Sequence, residues 1–264
     1  MASSPEPTVR TGRVKQARRL ATRAFRTETG DFLAEGPQAV REALALSADV
    51  VVEVFATAAA TERHPDLVAA AGDRWTVCDD EVVEAIADAV NPQGVVARCH
   101  GVVAGLDALP VRASYVVVCA DVRDPGNAGA VIRCADAAGA DAVILTGDSV
   151  DPLNPKAVRA TAGSLFHLPV IVHRDTAEAL DRLRTAGLQV LAADGHGDVG
   201  LYDAALDLTA PTAWVMGNEA WGLPETVRAL ADQVVAVPIY GCAESLNLAT
   251  AAAVCLYAGA AARH

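Results

Sequence analysis

The sequence predicts an α/β protein whose C-terminal half contains a mostly parallel β-sheet, preceded by a smaller α/β domain. Short apolar runs alternate with helical patterns along most of the 264 residues. In the second half these runs are apolar at consecutive positions, which is typical of strands covered on both faces, as in parallel sheets. Glycine and polar residues follow several of the runs, and open α/β sheets bind ligands at such strand ends.

The first half begins with a basic segment and continues as alternating strands and helices. Residues 9–26 have the spacing of one amphipathic helix, and residues 29–37 fit a turn, a short strand and a second turn. β-Branched and apolar content predicts further strands at 50–56, 74–78 and 94–100. The predicted helices of this half lie at 37–46, 64–71 and 79–88.

The second half alternates more regularly. Its predicted strands lie at 115–120, 142–145, 168–172, 188–193, 213–216 and 234–237. Its predicted helices lie at 127–138, 155–162, 177–186, 224–231 and 246–261. A stretch with little pattern separates the two halves. The sequence therefore predicts four parts: a basic arm or helix at 1–28, a small domain at 29–106, a linker at 107–114 and a larger domain at 115–264.

The charge distribution points in two directions. The chain carries a net charge of −12, which argues against a protein that coats nucleic acid. Its first 26 residues nevertheless contain seven basic residues and one acid. Such a basic segment is either a phosphate-binding element or a solvated, partly disordered tail.

The sequence gives no sign of a membrane span, a secretory signal or a cysteine-based metal site. No apolar run reaches the length of a membrane span, and the N-terminus lacks the apolar core of a secretory signal, so we expect a cytoplasmic location. The six cysteines form no CxxC pair, and no histidine lies beside one at a zinc-like spacing, so no metal site is expected. Cys242 lies in a candidate site loop, but no positive charge flanks it to activate the thiol.

Three polar loops at predicted strand ends are the candidate site. The first, at 124–133, contains Asn127 and Arg133 but lacks the GxGxxG spacing of a dinucleotide site. Asn127 could simply cap the following helix. Arg133 stands in an apolar helix, where its side chain either extends to solvent or has a functional role. The second loop, at 217–224, could be an ordinary connection in which Pro224 begins a helix. The third, at 244–250, could be a helix start capped by Ser245. Three such loops in one domain favour a shared site.

Together the three loops resemble the motifs of the SpoU branch of the SPOUT RNA methyltransferases. Asn127, Gly129 and Arg133 match NxGxxxR; Gly217, Glu219 and Gly222 match GxExxG; Ser245, Leu246 and Asn247 match the start of SLNVSxA. Ala249 departs from the serine that is common in the third motif. Residues 30–36 and 91–97 resemble the small substrate-binding domain of the ribosomal RNA subgroup. The resemblance covers nearly the whole chain.

This resemblance implies a fold, a cofactor and an oligomeric state. The larger domain would contain a deep trefoil knot, the smaller one would be L30e-like, and the protein would be a homodimer with its active site at the subunit interface. S-adenosylmethionine would bind in the knot, held by Gly217, Val237, Ile239 and Leu246 and by backbone near Leu191 and Ala192.

The resemblance also implies a reaction, which is methyl transfer to a ribose 2′-hydroxyl of RNA. Arg133 would be the catalytic arginine, positioned with the ribose by Asn127, Glu219, Ser245 and Asn247. The basic segment would then bind RNA, through residues that include Arg10, Arg18, Arg19 and Arg26.

Three alternatives stay open from sequence. The substrate could be transfer RNA, although the additional N-terminal domain favours 23S ribosomal RNA by analogy. The chain could instead be a knotted RNA-binding protein without activity, but the intact motif residues argue against that. A nicotinamide dehydrogenase is the most distant alternative, because the glycine spacing is wrong.

Overall fold

The computed structural model describes residues 7–47 and 49–263, which form two compact units. The first unit contains Met1–Val102 and Leu153–His167, and the second contains Val103–Pro152 and Leu168–His264. The chain thus leaves the first unit a few residues before the linker predicted at 107–114. It returns to that unit for one short segment within the predicted larger domain.

The helices and strands follow the predicted alternation closely. Up to residue 102 they are α1 (Gly12–Arg19), α2 (Arg23–Thr29), β1 (Asp31–Glu35), α3 (Pro37–Leu46), β2 (Val51–Ala56), α4 (Ala58–Arg63), α5 (Pro65–Ala71), β3 (Trp75–Val77), α6 (Asp80–Ile86) and β4 (Val95–His100). After it they are β5 (Tyr115–Ala120), α7 (Pro125–Ala137), β6 (Ala142–Thr146), α8 (Pro155–Thr161), β7 (Val170–Val172), α9 (Thr176–Thr185), β8 (Gln189–Ala193), β9 (Val199–Gly200), β10 (Thr212–Met216), α10 (Glu225–Arg228), β11 (Gln233–Ala236) and α11 (Leu248–Arg263).

The first unit is built on a four-stranded sheet with the order β1-β4-β2-β3. Strand β4 is antiparallel to both β1 and β2, and β3 is parallel to β2. Helix α1 packs onto this unit through Val14 and Ala17, which belong to a buried cluster with Phe55 and Val96. The basic segment is therefore not a disordered tail over the residues that the structure describes.

The single helix predicted for residues 9–26 is wrong in one respect, because the chain turns between α1 and α2. The Arg26 guanidinium lies beneath this turn and donates hydrogen bonds to the carbonyls of Leu20 (2.8 Å) and Ala21 (3.0 Å). Carbonyls at the end of a helix need such partners when water cannot reach them. The buried arginine thus stabilises a break that the helical spacing did not reveal.

Helix α8 supplies a buried ion pair to the first unit. The Glu35 side chain is only 4% exposed, and its Oε2 lies 3.0 Å from Arg159 Nη1. The same carboxylate accepts backbone N–H bonds from Asp88 (2.9 Å) and Ala89 (3.1 Å). A buried carboxylate is tolerated when it is paired and hydrogen-bonded in this way. Arg159 thus fixes the returning segment to the first strand of the unit.

The second unit contains a seven-stranded sheet with the order β7-β6-β5-β10-β8-β11-β9, and all its pairings are parallel. The predicted mostly parallel sheet is confirmed, and only the two-residue strand β9 was missed. Strands β5, β10, β8 and β11 are consecutive neighbours at its centre. Because parallel strands all end at the same edge of a sheet, the loops that follow these four strands lie side by side.

The C-terminal helix α11 is held against the sheet by Tyr115. The Tyr115 hydroxyl donates a 2.6 Å hydrogen bond to the carbonyl of Leu256. Burial raises the pKa of Tyr115 to about 12, so the hydroxyl keeps its proton and remains a donor. Within the described residues, no helix is both long enough and apolar enough to span a membrane.

A Gly259→Ala substitution is expected to destabilise the protein, although alanine is normally the better helix former by about 1 kcal/mol. A Cβ atom at Gly259 would lie 2.4 Å from the Tyr115 hydroxyl oxygen and 3.0 Å from its ring carbon Cζ. Overpacking of this kind costs about 1–3 kcal/mol, which should appear as a lower Tm in thermal unfolding. The double variant with Tyr115→Phe should lose less stability than the sum of the two single changes. An increase in Tm for Gly259→Ala would contradict the predicted clash.

Candidate active site

Three side chains from the three predicted loops form one hydrogen-bonded chain. Asn127 Nδ2, on α7, donates to Glu219 Oε1 at 3.0 Å, in the loop after β10. Asn247 Nδ2, at the start of α11, donates to Asn127 Oδ1 at 3.1 Å. The amide of Asn127 therefore uses its donor toward one motif and its acceptor toward another. The structure brings these three predicted residues together as a shared site.

The start of α7 shows why Asn127 is available for this network. Asp124 is the N-cap of the helix, and its Oδ1 accepts a 2.8 Å bond from the Asn127 backbone N–H. The alternative that Asn127 itself caps the helix is therefore wrong. Since the aspartate caps the first turn, the asparagine side chain can project into the site.

The loop after β10 is held in one shape by Asn218. This residue is 6% exposed, and its Nδ2 donates to the Asp121 carbonyl at 2.8 Å. Its Oδ1 accepts from Ala220 N at 2.9 Å, and its backbone exchanges two 2.9 Å bonds with Gly222. Asn218 lies in the second candidate loop, and it was assigned no catalytic or cofactor role from sequence. An asparagine within the GxExxG stretch was the available signal for this positioning role.

The loop shape also depends on glycine at position 217. A Cβ atom there would lie 2.5 Å from the Gly222 carbonyl carbon and 2.7 Å from Leu223 N. Real Cβ atoms do not approach backbone so closely, so the two segments of this loop can meet only at glycine. Gly222 itself has a φ of +67°, which favours glycine for a second reason.

The third loop leads into α11, which begins at Leu248, two residues later than predicted. Asn247 caps this helix, because its Oδ1 accepts from Ala249 N at 2.9 Å. The alternative that Ser245 caps this helix is therefore wrong. Ser245 is exposed, and its side chain makes no hydrogen bond within the described part of the chain. Ala249 contributes to this cap through its backbone N–H. The side-chain hydroxyl that a serine would have at this position is not needed for that bond.

Arg133 lies apart from the network. The side chain is exposed on α7, and it forms no ion pair or hydrogen bond with residues 7–47 or 49–263. It follows Asn127 by six positions, which is about 240° around a helix. Two of the five predicted catalytic residues, Arg133 and Ser245, are thus not joined to the other three.

The predicted cofactor residues fall into two groups. Gly217 is buried in its loop and Val237 is half-buried, whereas Ile239 and Leu246 are 39% and 37% exposed. A glycine loop that allows close backbone approach and nearby apolar side chains suit the flat faces of an adenine base.

Leu191 and Ala192 form the second group and lie inside the sheet. Both are fully buried on β8, which is paired with β10 on one side and β11 on the other. Their backbone groups therefore lie between the two neighbouring strands and pair with them. Only the end of this strand, at Ala193 and the following Asp194, opens toward the loops.

The predicted RNA-binding residues belong to the first unit. Arg10, Arg18 and Arg19 are exposed, and the Arg19 guanidinium lies 3.8 Å above the centre of the Phe25 ring. Arg26 is only 4% exposed, and its guanidinium is occupied by backbone carbonyls. Its prediction as an RNA-binding residue is therefore not supported, and its role in the structure is to hold the turn after α1.

The cysteines are mostly buried. Burial raises the pKa of the Cys119 and Cys255 thiols to about 12, which keeps both protonated near neutral pH. Cys242 is exposed in the third loop. Over residues 7–47 and 49–263, no group of three histidine, cysteine or acidic side chains is placed to hold a metal ion.

Residues 114–257, which contain the whole network, match the profile of the SpoU rRNA Methylase family. The chain belongs to this family. Residues 12–97 of this SpoU-family protein match a second profile, the MRM3-like substrate binding domain. The two matches confirm the resemblance on both halves of the chain.

The relatives of this chain include proteins whose names state a methyltransferase reaction. The chain is 35% identical over 254 residues to the 23S rRNA (guanosine(2553)-2′-O)-methyltransferase RlmP of Bacillus subtilis, covering 93% of this chain and 94% of the relative. It is 40% identical over 172 residues to the 23S rRNA (uridine(2479)-2′-O)-methyltransferase of Streptomyces viridochromogenes, covering 63% and 59% of the two chains.

Solved structures of SpoU-family proteins have the same fold. The SpoU methyltransferase AviRb of Streptomyces viridochromogenes in complex with AdoMet superposes with a TM-score of 0.84 at 32% identity, over 96% of this chain and 99% of the other. The AdoMet-bound rRNA methyltransferase of Sinorhizobium meliloti gives a TM-score of 0.82 at 33% identity, over 96% and 95%.

Proposed function

We propose that this SpoU-family protein transfers a methyl group from S-adenosylmethionine to a ribose 2′-hydroxyl of 23S ribosomal RNA. The observation that carries the proposal is the hydrogen-bonded chain Glu219–Asn127–Asn247, which joins the three family motifs at the carboxyl edge of the sheet. The 2′-O-methyltransferase relatives support the reaction, and the substrate-binding profile supports a large RNA substrate.

The loops after β10 and β11 fit the cofactor. Gly217 and Gly222 bring two backbone segments together where a Cβ would not fit, and Ile239 and Leu246 add exposed apolar surface. S-adenosylmethionine supplies an electrophilic methyl group when bound. We place its adenosine against these loops, held largely by backbone groups and apolar side chains.

Arg133 is the proposed catalytic cation. A ribose hydroxyl is a poor nucleophile and must lose its proton as it attacks a methyl group. A guanidinium stays protonated in proteins, so it does not act as the base. It can instead orient the hydroxyl and a neighbouring phosphate, while that phosphate or another group of the RNA accepts the proton. Asn127, Glu219, Ser245 and Asn247 would position the ribose and this cation.

A homodimer with a knotted C-terminal segment completes the proposal. Arg133 is exposed and without a partner in the described chain, and it lies about 240° around α7 from Asn127. A second copy could bring its own Arg133 to this network, so that each site uses residues of both subunits. We also place the enzyme in the cytoplasm, the compartment in which bacterial ribosomal RNA is made.

Methyl transfer to defined RNAs tests the proposal directly. The enzyme is incubated with labelled S-adenosylmethionine and either protein-free 23S ribosomal RNA or transfer RNA. We expect label in 23S ribosomal RNA, at one position that becomes resistant to alkaline cleavage because its 2′-oxygen is methylated. Label in transfer RNA alone would overturn the choice of substrate. No label in either RNA, with the cofactor bound, would favour an assembled ribosomal particle or an inactive RNA-binding protein.

The exposed basic face of α1 is expected to contribute to RNA affinity. Lys15 and Arg18 are exposed and form no ion pair in the described chain, and their neighbours Val14 and Ala17 hold the helix in the core. The variant Lys15→Gln/Arg18→Gln should bind 23S ribosomal RNA more weakly. Its plot of log Kobs against log salt should be shallower by about 1 to 2, because the variant neutralises fewer phosphates and so displaces fewer counterions from the RNA.

A variant that removes a positive charge from the second unit controls for a general loss of charge. Arg112 is exposed on the second unit, and Arg112→Gln removes one positive charge without touching α1. Equal salt slopes for the wild type and the α1 variant would show that this face does not contact RNA phosphates. Deleting residues 1–26 is a poorer test, because it would remove the buried residues Val14, Ala17 and Leu20.

A further inference from the structure

An exposed tryptophan, Trp221, lies beside the candidate active site. Trp221 is 55% exposed, whereas Trp214 on β10 is fully buried in the sheet. Large aromatic side chains stabilise a protein mainly when they are buried, so an exposed ring on a loop tip points to a ligand or partner. Trp221 lies two residues after Glu219, the acidic member of the Glu219–Asn127–Asn247 chain.

A second side chain completes the feature. The guanidinium carbon of Arg123 lies 5.1 Å from the centre of the Trp221 ring. Arg123 is exposed, lies in the loop between β5 and α7, and makes no ion pair within residues 7–47 and 49–263. A cation over an indole face is an attractive arrangement, and both groups still present surface to solvent. The pair therefore offers an aromatic face and a positive charge at the same place.

The two loops that carry this pair are fixed to one another. Asn218 Nδ2 donates to the carbonyl of Asp121, which lies two residues before Arg123. Asp121 has a φ of +56°, unusual for a residue with a side chain, and its Oδ1 accepts a 2.8 Å bond from Asp148 N. Backbone held in this way does not need to be ordered when a ligand binds, so less entropy is lost on binding.

These observations favour a nucleobase as the occupant. Proteins that hold single-stranded RNA stack bases on aromatic side chains or on arginine guanidinium groups, and add positive charge for the phosphates. We propose that Trp221 and Arg123 form a stacking site for a base of the RNA substrate, at or next to the nucleotide that is methylated. This inference rests on the proposed function, because it assigns the site to the same RNA.

The adenine of S-adenosylmethionine is also a nucleobase and could stack on Trp221 instead of a base of the RNA. The following experiment separates these two occupants. Trp221→Ala, Trp221→Phe and Arg123→Gln are compared with the wild type in methyl transfer to protein-free 23S ribosomal RNA. We expect KM for RNA to rise about tenfold or more for Trp221→Ala, because a stacked base contributes about 1–3 kcal/mol. Phenylalanine should restore most of this loss, and the Kd for S-adenosylmethionine should be unchanged in all three variants.

Tyr202 provides a control, since its ring is 66% exposed and it lies outside the two loops that carry Trp221 and Arg123. Tyr202→Ala should leave KM for RNA as in the wild type. Tryptophan fluorescence gives a readout that does not need turnover. The difference in emission between the wild type and Trp221→Phe is the component due to Trp221, and 23S ribosomal RNA should quench it in the wild type.

The outcomes are distinguishable. An absence of methyl transfer by the wild-type enzyme, to free RNA and to assembled ribosomal particles alike, would overturn the proposed function, while quenching of Trp221 by the RNA would still support the stacking site. An unchanged KM for RNA together with unquenched Trp221 emission would overturn the stacking site alone. A weaker Kd for S-adenosylmethionine in Trp221→Ala, with KM for RNA unchanged, would assign the ring to the cofactor and overturn the inference. A changed sedimentation coefficient for Trp221→Ala would do the same, because it would place the ring in a subunit interface.

Discussion

Replacing Arg133 with alanine is expected to lower kcat about 100- to 1000-fold and to leave the Kd for S-adenosylmethionine unchanged. The effect is large because a positioned cation acts on charge that develops only as the hydroxyl attacks. The cofactor should bind normally because Arg133 is exposed and forms no ion pair or hydrogen bond with the loops after β10 and β11 in the described chain. Single-turnover methyl transfer and equilibrium titration with the cofactor measure the two quantities separately.

Two further variants make this result specific. Arg133→Lys keeps the charge but loses the planar fork of donors, so it should recover only part of the rate. Arg182→Ala removes an exposed arginine from α9, away from the candidate site residues, and should retain wild-type kcat. A properly folded Arg133→Ala enzyme that no longer bound the cofactor would contradict the catalytic role.

The same variant tests whether the site is shared between subunits. An Arg133→Ala subunit retains its cofactor loops, and a subunit with defective cofactor loops retains its Arg133. If each site combines the arginine of one subunit with the cofactor of the other, mixed dimers of the two variants contain one intact site. Mixing should then restore activity that neither variant has alone. If both residues come from the same subunit, every site in the mixture is defective and activity stays absent.

The second large effect is expected for Gly217→Ala, which should raise the Kd for S-adenosylmethionine roughly 10- to 100-fold. The new Cβ would lie 2.5 Å from the Gly222 carbonyl carbon, so neither backbone segment can keep its place. The displacement would break the paired hydrogen bonds between Asn218 and Gly222. It would also move Glu219 relative to Asn127, so kcat should fall as well.

Gly195→Ala is the matched control for this substitution. Gly195 lies in the loop after β8, at the same edge of the sheet, and a Cβ there would meet nothing within 4 Å. Both variants are measured by calorimetric titration with the cofactor and by thermal unfolding. Wild-type cofactor affinity in a folded Gly217→Ala protein would show that the loop does not hold the cofactor. An equal decrease in affinity for both variants would show that the effect is not specific to the close approach.

The parallel sheet and the meeting of Asn127, Glu219 and Asn247 could be predicted from sequence because both depend on local patterns. A strand such as β5, with six consecutive buried residues, is evident from its composition. Asn127, Glu219 and Asn247 were predictable because each lies in a short motif at a strand or helix end. Strand β9 was not predictable, since two residues carry no periodicity.

The features that sequence reasoning missed depend on side-chain contacts that no sequence pattern specifies. The break between α1 and α2 needs a buried Arg26, which has no local signature distinct from the neighbouring exposed arginines. The anchor between Asn218 and Asp121 spans 97 positions. The caps at Asp124 and Asn247 could not be chosen from sequence, because Asp, Asn and Ser are all good N-caps and their spacing alone does not choose among them.

The return of the chain to the first unit has a consequence for how the protein is made. That unit contains Leu153–His167, and the buried Glu35 carboxylate takes its ion-pair partner, Arg159, from this segment. A ribosome that has just added residue 102 has not yet translated the segment, and at about 5–20 residues per second it needs roughly 3 to 13 seconds more to do so. Throughout that interval the nascent chain contains Glu35 but not Arg159, so the Glu35 carboxylate has no ion-pair partner from this segment. A gene fragment that stops near residue 102 would leave the product permanently in that condition, whereas a fragment ending after residue 167 encodes every piece of the unit.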